Sequence, residues 1–419
     1  MRISMNEMLF ALSTALDCVE SEVFGVSTHH SKRVAYISVE MGRVFGFAGN
    51  QLAELAGSAV MHDNALTEYI AARRLRGYMN NTKKDIDVPQ LGIHCEMGEE
   101  NMKSIPFYGS VKGAVLYHHE NADGSGPFGR KPKETPVYAQ IIYIADQIDN
   151  GFNLREFSPE SYRKLIFWLR DNRRILFSDE CVNAFIRALP YEKLAGMQEE
   201  NIVPVLEKSI PYYNPDYDRE VIEALSGVFA KITDFKSHFT SMHSQGIAEK
   251  AEIMGRYYGD TEENCIKLYL AGALHDIGKL TISNNILEKP DKLTTEEFEI
   301  MKGHAVASYE ILKGLTDIPD VVSWAVMHHE KLDGSGYPFG KTAEELGKYE
   351  RLLCCLDIFQ ALSEDRPYKK GMSYARSLDI MREMVQAGKI DAGITEDIGR
   401  CFPSDTEQSA VNKKQPAVS

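Results

Sequence analysis

Apolar positions along this chain recur at helical rather than strand spacing. Across residues 219–233, Val221, Ile222, Leu225, Val228, Phe229 and Ile232 share one face at i, i+3, i+4 spacing, which predicts an amphipathic helix. Comparable stretches run nearly throughout, so the fold class expected is all-α. The helical pattern is also duplicated. Ala11-Leu12-Ser13 aligns with Ala224-Leu225-Ser226 at an offset of 213 residues, and Ser161-Tyr162 aligns with Ser373-Tyr374 near the other end. Pro204, Pro211 and Pro215 punctuate the pattern around residues 204–217, which places the join there. The expected organisation is two tandem helical domains, 1–205 and 206–403, each long enough for its own core. Residues 404–419 are polar and aperiodic and are expected to form a disordered tail. No separate sensor module is expected.

The same duplication carries the chain's histidines. The second half has His243, His275, Asp276, His304, His328, His329 and Asp357; the first has His30, His62, Asp63, His94, His118, His119 and Asp146. The offsets are 243−30 = 213, 275−62 = 213, 304−94 = 210, 328−118 = 210 and 357−146 = 211. Ten of the 12 histidines belong to this pattern, so packing alone is a poor explanation of it. Imidazole and carboxylate clusters are what a two-metal hydrolytic site requires. His29 and His238 fall outside the set and read as ordinary helix-start or surface residues.

Three local motifs sharpen the reading of the second half. The first is His275-Asp276-Ile277-Gly278-Lys279, after the apolar stretch Leu268 to Leu274. The dipeptide alone is weak evidence, but an aspartate there can bridge two cations while its histidine neighbour binds one. Lys279 can hold a phosphate oxygen or assist a leaving group. The second motif, His328-His329-Glu330-Lys331-Leu332-Asp333-Gly334-Ser335-Gly336-Tyr337-Pro338, is far more specific. Glu330 and Asp333 could orient ligand imidazoles or the loop that follows. The third runs from Arg351 to Asp357 and on to Arg366-Pro367-Tyr368-Lys369, placing two cations after a helical carboxylate.

With these motifs, the second half resembles an HD-GYP domain of the HD phosphohydrolase superfamily over residues 219–400. His275-Asp276 is the HD pair and Gly336-Tyr337-Pro338 the GYP signature. The resemblance implies a helical domain that hydrolyses cyclic di-GMP to linear pGpG or GMP. It also implies that His243, His275, Asp276 and Asp357 hold one metal and that His304, His328 and His329 hold another, with Asp276 bridging. Lys279 takes the place of a lysine near the reacting phosphate, Tyr337 lies in the substrate-facing signature, and Arg366 and Lys369 take positions that contact the dinucleotide. Asp276 and Lys279 are thus the expected catalytic residues. Some members carry a glutamate four residues before the first histidine that supports a third metal. Phe239 and Val26 stand there, which implies two divalent ions per site, with iron or manganese favoured.

The first half resembles a degenerate copy. Its ligand types are all present, but Leu66 replaces the lysine, Gly126 runs directly into Pro127 with the tyrosine deleted, and Ser158 replaces the second cation while Arg155 keeps the first. Three readings stay open: a metal-loaded regulatory or structural domain, which we favour, a second working enzyme, or an empty scaffold.

Composition narrows the partners. A net charge of −14 argues against sequence-independent binding of DNA or RNA, since that depends on many lysines and arginines at phosphates. Cys18, Cys95, Cys181, Cys265, Cys354, Cys355 and Cys401 form no CxxC pair, so reduced thiols in a cytoplasmic protein are expected. Glu7, Asp17 and Glu20 break any signal-peptide pattern, and no apolar run is long enough to span a bilayer. Trp168 and Trp324 are expected in the core. The expected activity is metal-dependent hydrolysis of a cyclic dinucleotide, cyclic di-GMP first and 3′,3′-cyclic GMP-AMP as the alternative. A non-catalytic dinucleotide-binding protein and a general nucleotide phosphohydrolase are the rivals. A homodimer is compatible with the sequence, which does not decide it.

Overall fold

The computed structural model describes residues 3–24, 29–75, 88–197, 201–211, 219–236, 243–289, 291–364 and 370–402. Among them every regular element is helical, with extended pairing confined to two isolated bridges, Arg173 with Phe177 and Asp333 with Thr342. The all-α expectation holds. Arg366, Lys369, Phe239, His238 and the 404–419 segment lie outside the described residues. No helix among the described residues is long and apolar enough to cross a membrane.

The chain divides into two compact units, Met1–Val228 with Gly314–Asp317, and Phe229–Lys313 with Ile318–Ser419. The division falls inside the helix Arg219–Asp234, the amphipathic segment seen in the sequence. Ile222, Leu225, Val228, Phe229 and Ile232 of its apolar face are buried.

The helix His30–Val44 is central to the first unit, and every residue from His30 to Gly42 is buried. The helices Asn50–Val60 and Val137–Gly151 pack against it. Burial on all sides leaves no face for solvent, so its polar residues need partners inside. Lys32 is 2% exposed and its Nζ lies 3.0 Å from Asp17 Oδ2 and 3.0 Å from Thr14 Oγ1.

In the second unit the helix His243–Tyr257 packs against Glu262–Leu274 and Lys348–Ser363. Small residues let the first two approach closely: a Cβ built on Gly272 would lie 2.7 Å from Ala248 Cα. Thr261 caps Glu262–Leu274, and Thr294 with Glu297 forms a reciprocal capping box at the start of Thr295–Leu312. Each such cap contributes about 1 kcal/mol. These caps fix where the helices begin and therefore where their histidines point. Trp324 is buried as expected, but Trp168 is only half-buried. Its helix, Pro159–Asp171, buries Leu165 and Leu169 and turns most of its surface outward.

Candidate metal centres

In the second unit, five helical or helix-end segments bring seven side chains together. His243 opens the helix His243–Tyr257, His275 closes Glu262–Leu274, and Asp276 leads into the turn Ile277–Thr281. His304 comes from Thr295–Leu312, His328 and His329 follow Pro319–Val326, and Asp357 lies in Lys348–Ser363. Asp276 faces two ways. Its Oδ2 lies 3.1 Å from His275 Nε2 and 3.8 Å from His243 Nε2, while its Oδ1 lies 3.5 Å from His304 Nε2 and 3.8 Å from His328 Nε2. Asp357 is 3.3 Å from His243 Nε2 through one oxygen and 3.5 Å from His329 Nδ1 through the other.

The imidazoles are oriented by a shared device. Nδ1 of His275, His304 and His328 meets the carbonyl oxygen three residues earlier, at 2.7, 2.6 and 2.6 Å. A carbonyl only accepts, so Nδ1 carries the proton and Nε2 turns its lone pair inward. Those three Nε2 atoms and Asp276 Oδ1 are buried without a hydrogen-bond partner. Buried acceptors gathered without a donor are costly unless something cationic joins them. Side chains His243, His275 and Asp276 form one group with ligand atoms within 4.8 Å of one another, and His304, His328 and His329 form a second. The residues present therefore fit bound metal.

Electrostatics agree with this. Burial raises the Asp276 carboxyl, but His275 and the Lys279 ammonium more than offset it, leaving it well below the ordinary carboxylate range. Burial pushes His329 down to about 3, so its imidazole is neutral and available as a ligand. Burial opposes protonation of His243 as well, yet Asp357 and Glu364 raise it to about 9. Lys279 Nζ contacts Asp276 Oδ2, which places its ammonium at the edge of the cluster.

The first unit also brings its seven residues together. Asp63 Oδ2 lies 3.6 Å from His62 Nε2, and its Oδ1 lies 3.3 Å from His94 Nε2 and 3.6 Å from His118 Nε2. Asp146 Oδ1 is 3.3 Å from His30 Nε2 and 3.8 Å from His62 Nε2. His62 and His118 again present Nδ1 to the carbonyl three residues back, at 2.8 and 2.6 Å, and their Nε2 atoms have no hydrogen-bond partner. His30, His62 and Asp146 form one potential ligand group, and His94, Cys95, His118 and His119 the other. Burial raises the Cys95 thiol, but His118 and His94 overcome this and bring it down to about 6.

Sequence reasoning missed the groups behind the ligands. His243 Nδ1 donates to Glu364 Oε2 at 2.9 Å, whereas His30 Nδ1 donates to Asp149 Oδ2 at 2.7 Å. The two carboxylates are not counterparts, since 364−357 = 7 and 149−146 = 3. An acidic residue one turn after a ligand aspartate was a usable signal for Asp149; Glu364, beyond the helix end, gave none. The glycine-rich loops are built alike. Glu330 accepts from Phe339 N at 2.7 Å and Lys341 N at 3.0 Å, and Glu120 accepts from Phe128 N at 2.7 Å and from Arg130 N. Glu330 thus ties the loop rather than an imidazole, and Asp333 caps Ser335 within it. The Tyr337 ring lies tilted against His329 with centroids 4.7 Å apart. The first unit lacks that tyrosine, but Tyr143, from the helix Val137–Gly151, stands edge-on to His119 at 6.2 Å. Leu66 is buried where Lys279 approaches its aspartate, and Ser158 caps the helix Pro159–Asp171.

Comparison with known proteins matches this duplicated geometry. HD-domain models match residues 227–394 and, separately, residues 28–151. The 3′3′-cGAMP-specific phosphodiesterase 3 of Vibrio cholerae is 30% identical over 430 residues, covering 90% of each chain. The 3′3′-cGAMP-specific phosphodiesterase 1 of the same organism is 27% identical over 412 residues, covering 95% of this chain and 92% of its own. A cyclic di-GMP phosphodiesterase of Pseudomonas aeruginosa is 35% identical over 160 residues, 38% of each chain. A crystal structure of a cyclic GMP-AMP specific phosphodiesterase of Vibrio cholerae covers 99% of both chains with a TM-score of 0.65 at 23% identity, which shows a shared fold. With both histidine clusters inside matched segments and relatives that span the whole tandem, the chain belongs to the HD superfamily of phosphodiesterases, as a member with two HD domains in series.

Proposed function

We propose that this chain hydrolyses a cyclic dinucleotide at the second-unit centre, with 3′,3′-cyclic GMP-AMP as the preferred substrate and cyclic di-GMP second. This reverses the order suggested by the sequence. The observation that carries it is coverage: two relatives named for 3′3′-cGAMP align with at least 90% of this chain, whereas the cyclic di-GMP phosphodiesterase aligns with 38%. The Gly336-Tyr337-Pro338 signature supports assignment of the second half to the HD-GYP branch.

In this reading His243, His275, Asp276 and Asp357 would hold one divalent ion and His304, His328 and His329 the other, with Asp276 turned toward both groups. Imidazole and carboxylate donors without thiolate suit iron or manganese. Bound there, the ions would acidify a water and neutralise charge on the phosphate. The protein's own groups do the rest. The carbonyls behind His275, His304 and His328 keep the imidazoles in one tautomer, so their Nε2 atoms need no reorganisation. Lys279, with its ammonium beside Asp276 Oδ2, donates to a phosphate oxygen. Tyr337 walls the site beside His329. The first unit would hold metal without hydrolysing, because Leu66 cannot donate to phosphate. Cytoplasmic location is part of the proposal, as the compartment in which cyclic dinucleotide signals turn over.

The test is a substrate panel of 3′,3′-cyclic GMP-AMP, cyclic di-GMP and cyclic di-AMP. The full chain is reconstituted anaerobically with iron or manganese and the products are separated by chromatography. The expected result is linear product from cyclic GMP-AMP with the highest kcat/KM. Faster turnover of cyclic di-GMP would reverse the preference, and tight binding without product would make the chain a receptor.

A further inference from the structure

The cluster around His94 contains one residue that the second unit lacks. Cys95 aligns with Ala305, since 305−95 = 210, the offset shared by His94 and His304. Cys95 is 0% exposed, and its Sγ lies 3.8 Å from His94 Nε2 and 3.7 Å from the ring of His118 at Nδ1. Cys95, His94, His118 and His119 each offer a ligand atom within 4.8 Å of the others. Thiolate and imidazole bonds of about 2.3 and 2.1 Å at a tetrahedral angle put sulfur and nitrogen about 3.6 Å apart, close to the 3.8 Å between Cys95 Sγ and His94 Nε2. His118 Nδ1 already donates to Val115 O at 2.6 Å, so the thiol is not there to satisfy that nitrogen. The inward-facing His118 Nε2 and Asp63 Oδ1 are buried and have no hydrogen-bond partner.

We propose that Cys95 is a metal ligand, making the His94, His118 and His119 position of the first unit a mixed sulfur–nitrogen site for a thiophilic divalent ion of the zinc class. The inference rests on the reading of the first unit as metal-holding. It also explains the pairing of two changes. The first unit gains an anionic ligand at Cys95 and loses an ammonium at Leu66, and both changes favour holding a cation over admitting a phosphate. A softer ligand set selects zinc or iron(II) over manganese. The second unit, with Ala305 there, keeps a nitrogen and oxygen set.

The experiment is cobalt(II) substitution of the full chain. A cobalt–thiolate bond gives a near-ultraviolet charge-transfer band that imidazole and carboxylate do not, and the visible ligand-field bands report loading separately. We expect the charge-transfer band in the wild type and in Cys354→Ala, which lacks a buried second-unit thiol in contact with Lys331. It should vanish in Cys95→Ala and Cys95→Ser with the ligand-field bands retained. Zinc affinity of the first unit should fall at least tenfold in Cys95→Ala. A loaded wild type without the band, or a band that survives in Cys95→Ala, overturns the assignment. Cobalt stoichiometry in the His62→Ala, Asp63→Ala double variant separates the underlying reading: if it equals wild type, the first unit holds no metal and both proposals fall together.

Discussion

The two units present nearly the same atoms to their centres and differ in what stands behind them. In the first, His30 leans on Asp149, and Asp149 is also held by the buried guanidinium of Arg33, whose Nη2 lies 2.9 Å from Oδ2. The corresponding positions in the second are Gln360 and Gly246, from 360−149 = 211 and 246−33 = 213. A Cβ on Gly246 would lie 2.7 Å from Gln360 Nε2, so an arginine there has no room, and His243 takes Glu364 instead. A second exchange lies under the HD pair. Gly278 sits so close to the helix Thr295–Leu312 that a Cβ would lie 1.9 Å from His304 O, and Ser308 ties the two together. In the first unit the small residue is on the other partner, with Ala65 facing Gly98. The contact Lys331 with Cys354 at 3.2 Å is likewise replaced by Asn121 with Tyr143 at 2.6 Å. Supporting residues have changed in pairs while, Cys95 apart, the histidines and aspartates that face each cluster have not. Of the groups proposed to face substrate, Lys279 is replaced by the apolar Leu66, and Tyr337 is matched only by Tyr143 from another element.

That contrast can be broken at its supports. The largest effect is expected from Asp149→Ala, which removes the carboxylate paired with the buried Arg33 cation. Breaking a buried ion pair from one side costs about 3–5 kcal/mol, read as destabilisation of the first unit in denaturant. Gln360→Ala at the matching position of the second unit should cost about 1 kcal/mol. Equal losses would remove the distinction drawn between them. Next is Lys279→Ala, expected to lower kcat about 10²-fold, as loss of one transition-state donor does. Metal content should be unchanged by elemental analysis; activity and metal lost in step would make Lys279 a support for the ligands and not a phosphate contact. The smallest is Glu364→Ala, expected to weaken metal binding in the second unit about 10–100-fold in chelator competition. No change would mean that the Glu364 contact does not tune His243.

Much of this was legible because a metal cluster constrains residue type at each position. The offsets 213, 213, 210, 210 and 211 pair His30 with His243 through to Asp146 with Asp357 in the sequence alone. The helical fold followed from the spacing around Val221 to Ile232. The supports were not legible, because they depend on distances across helices. Nothing near Glu364 in the sequence says that it reaches His243, 121 residues away. Cys95 read as an ordinary thiol because its partner His118 is 23 residues distant. Trp168 read as core because an apolar helical context does not tell which turns face solvent.

The central claim is that the two units share a metal frame and that only the second turns substrate over. The most direct measurement is cyclic GMP-AMP hydrolysis by the full chain carrying Asp276→Ala or Asp63→Ala, with metal counted in each. Asp276 and Asp63 occupy the same two-faced position, so each substitution should lower metal per chain. Only Asp276→Ala should abolish turnover, by at least about 10²-fold, with Asp63→Ala hydrolysing near the wild-type rate. Near wild-type turnover in Asp276→Ala, or its loss in Asp63→Ala, would contradict the account.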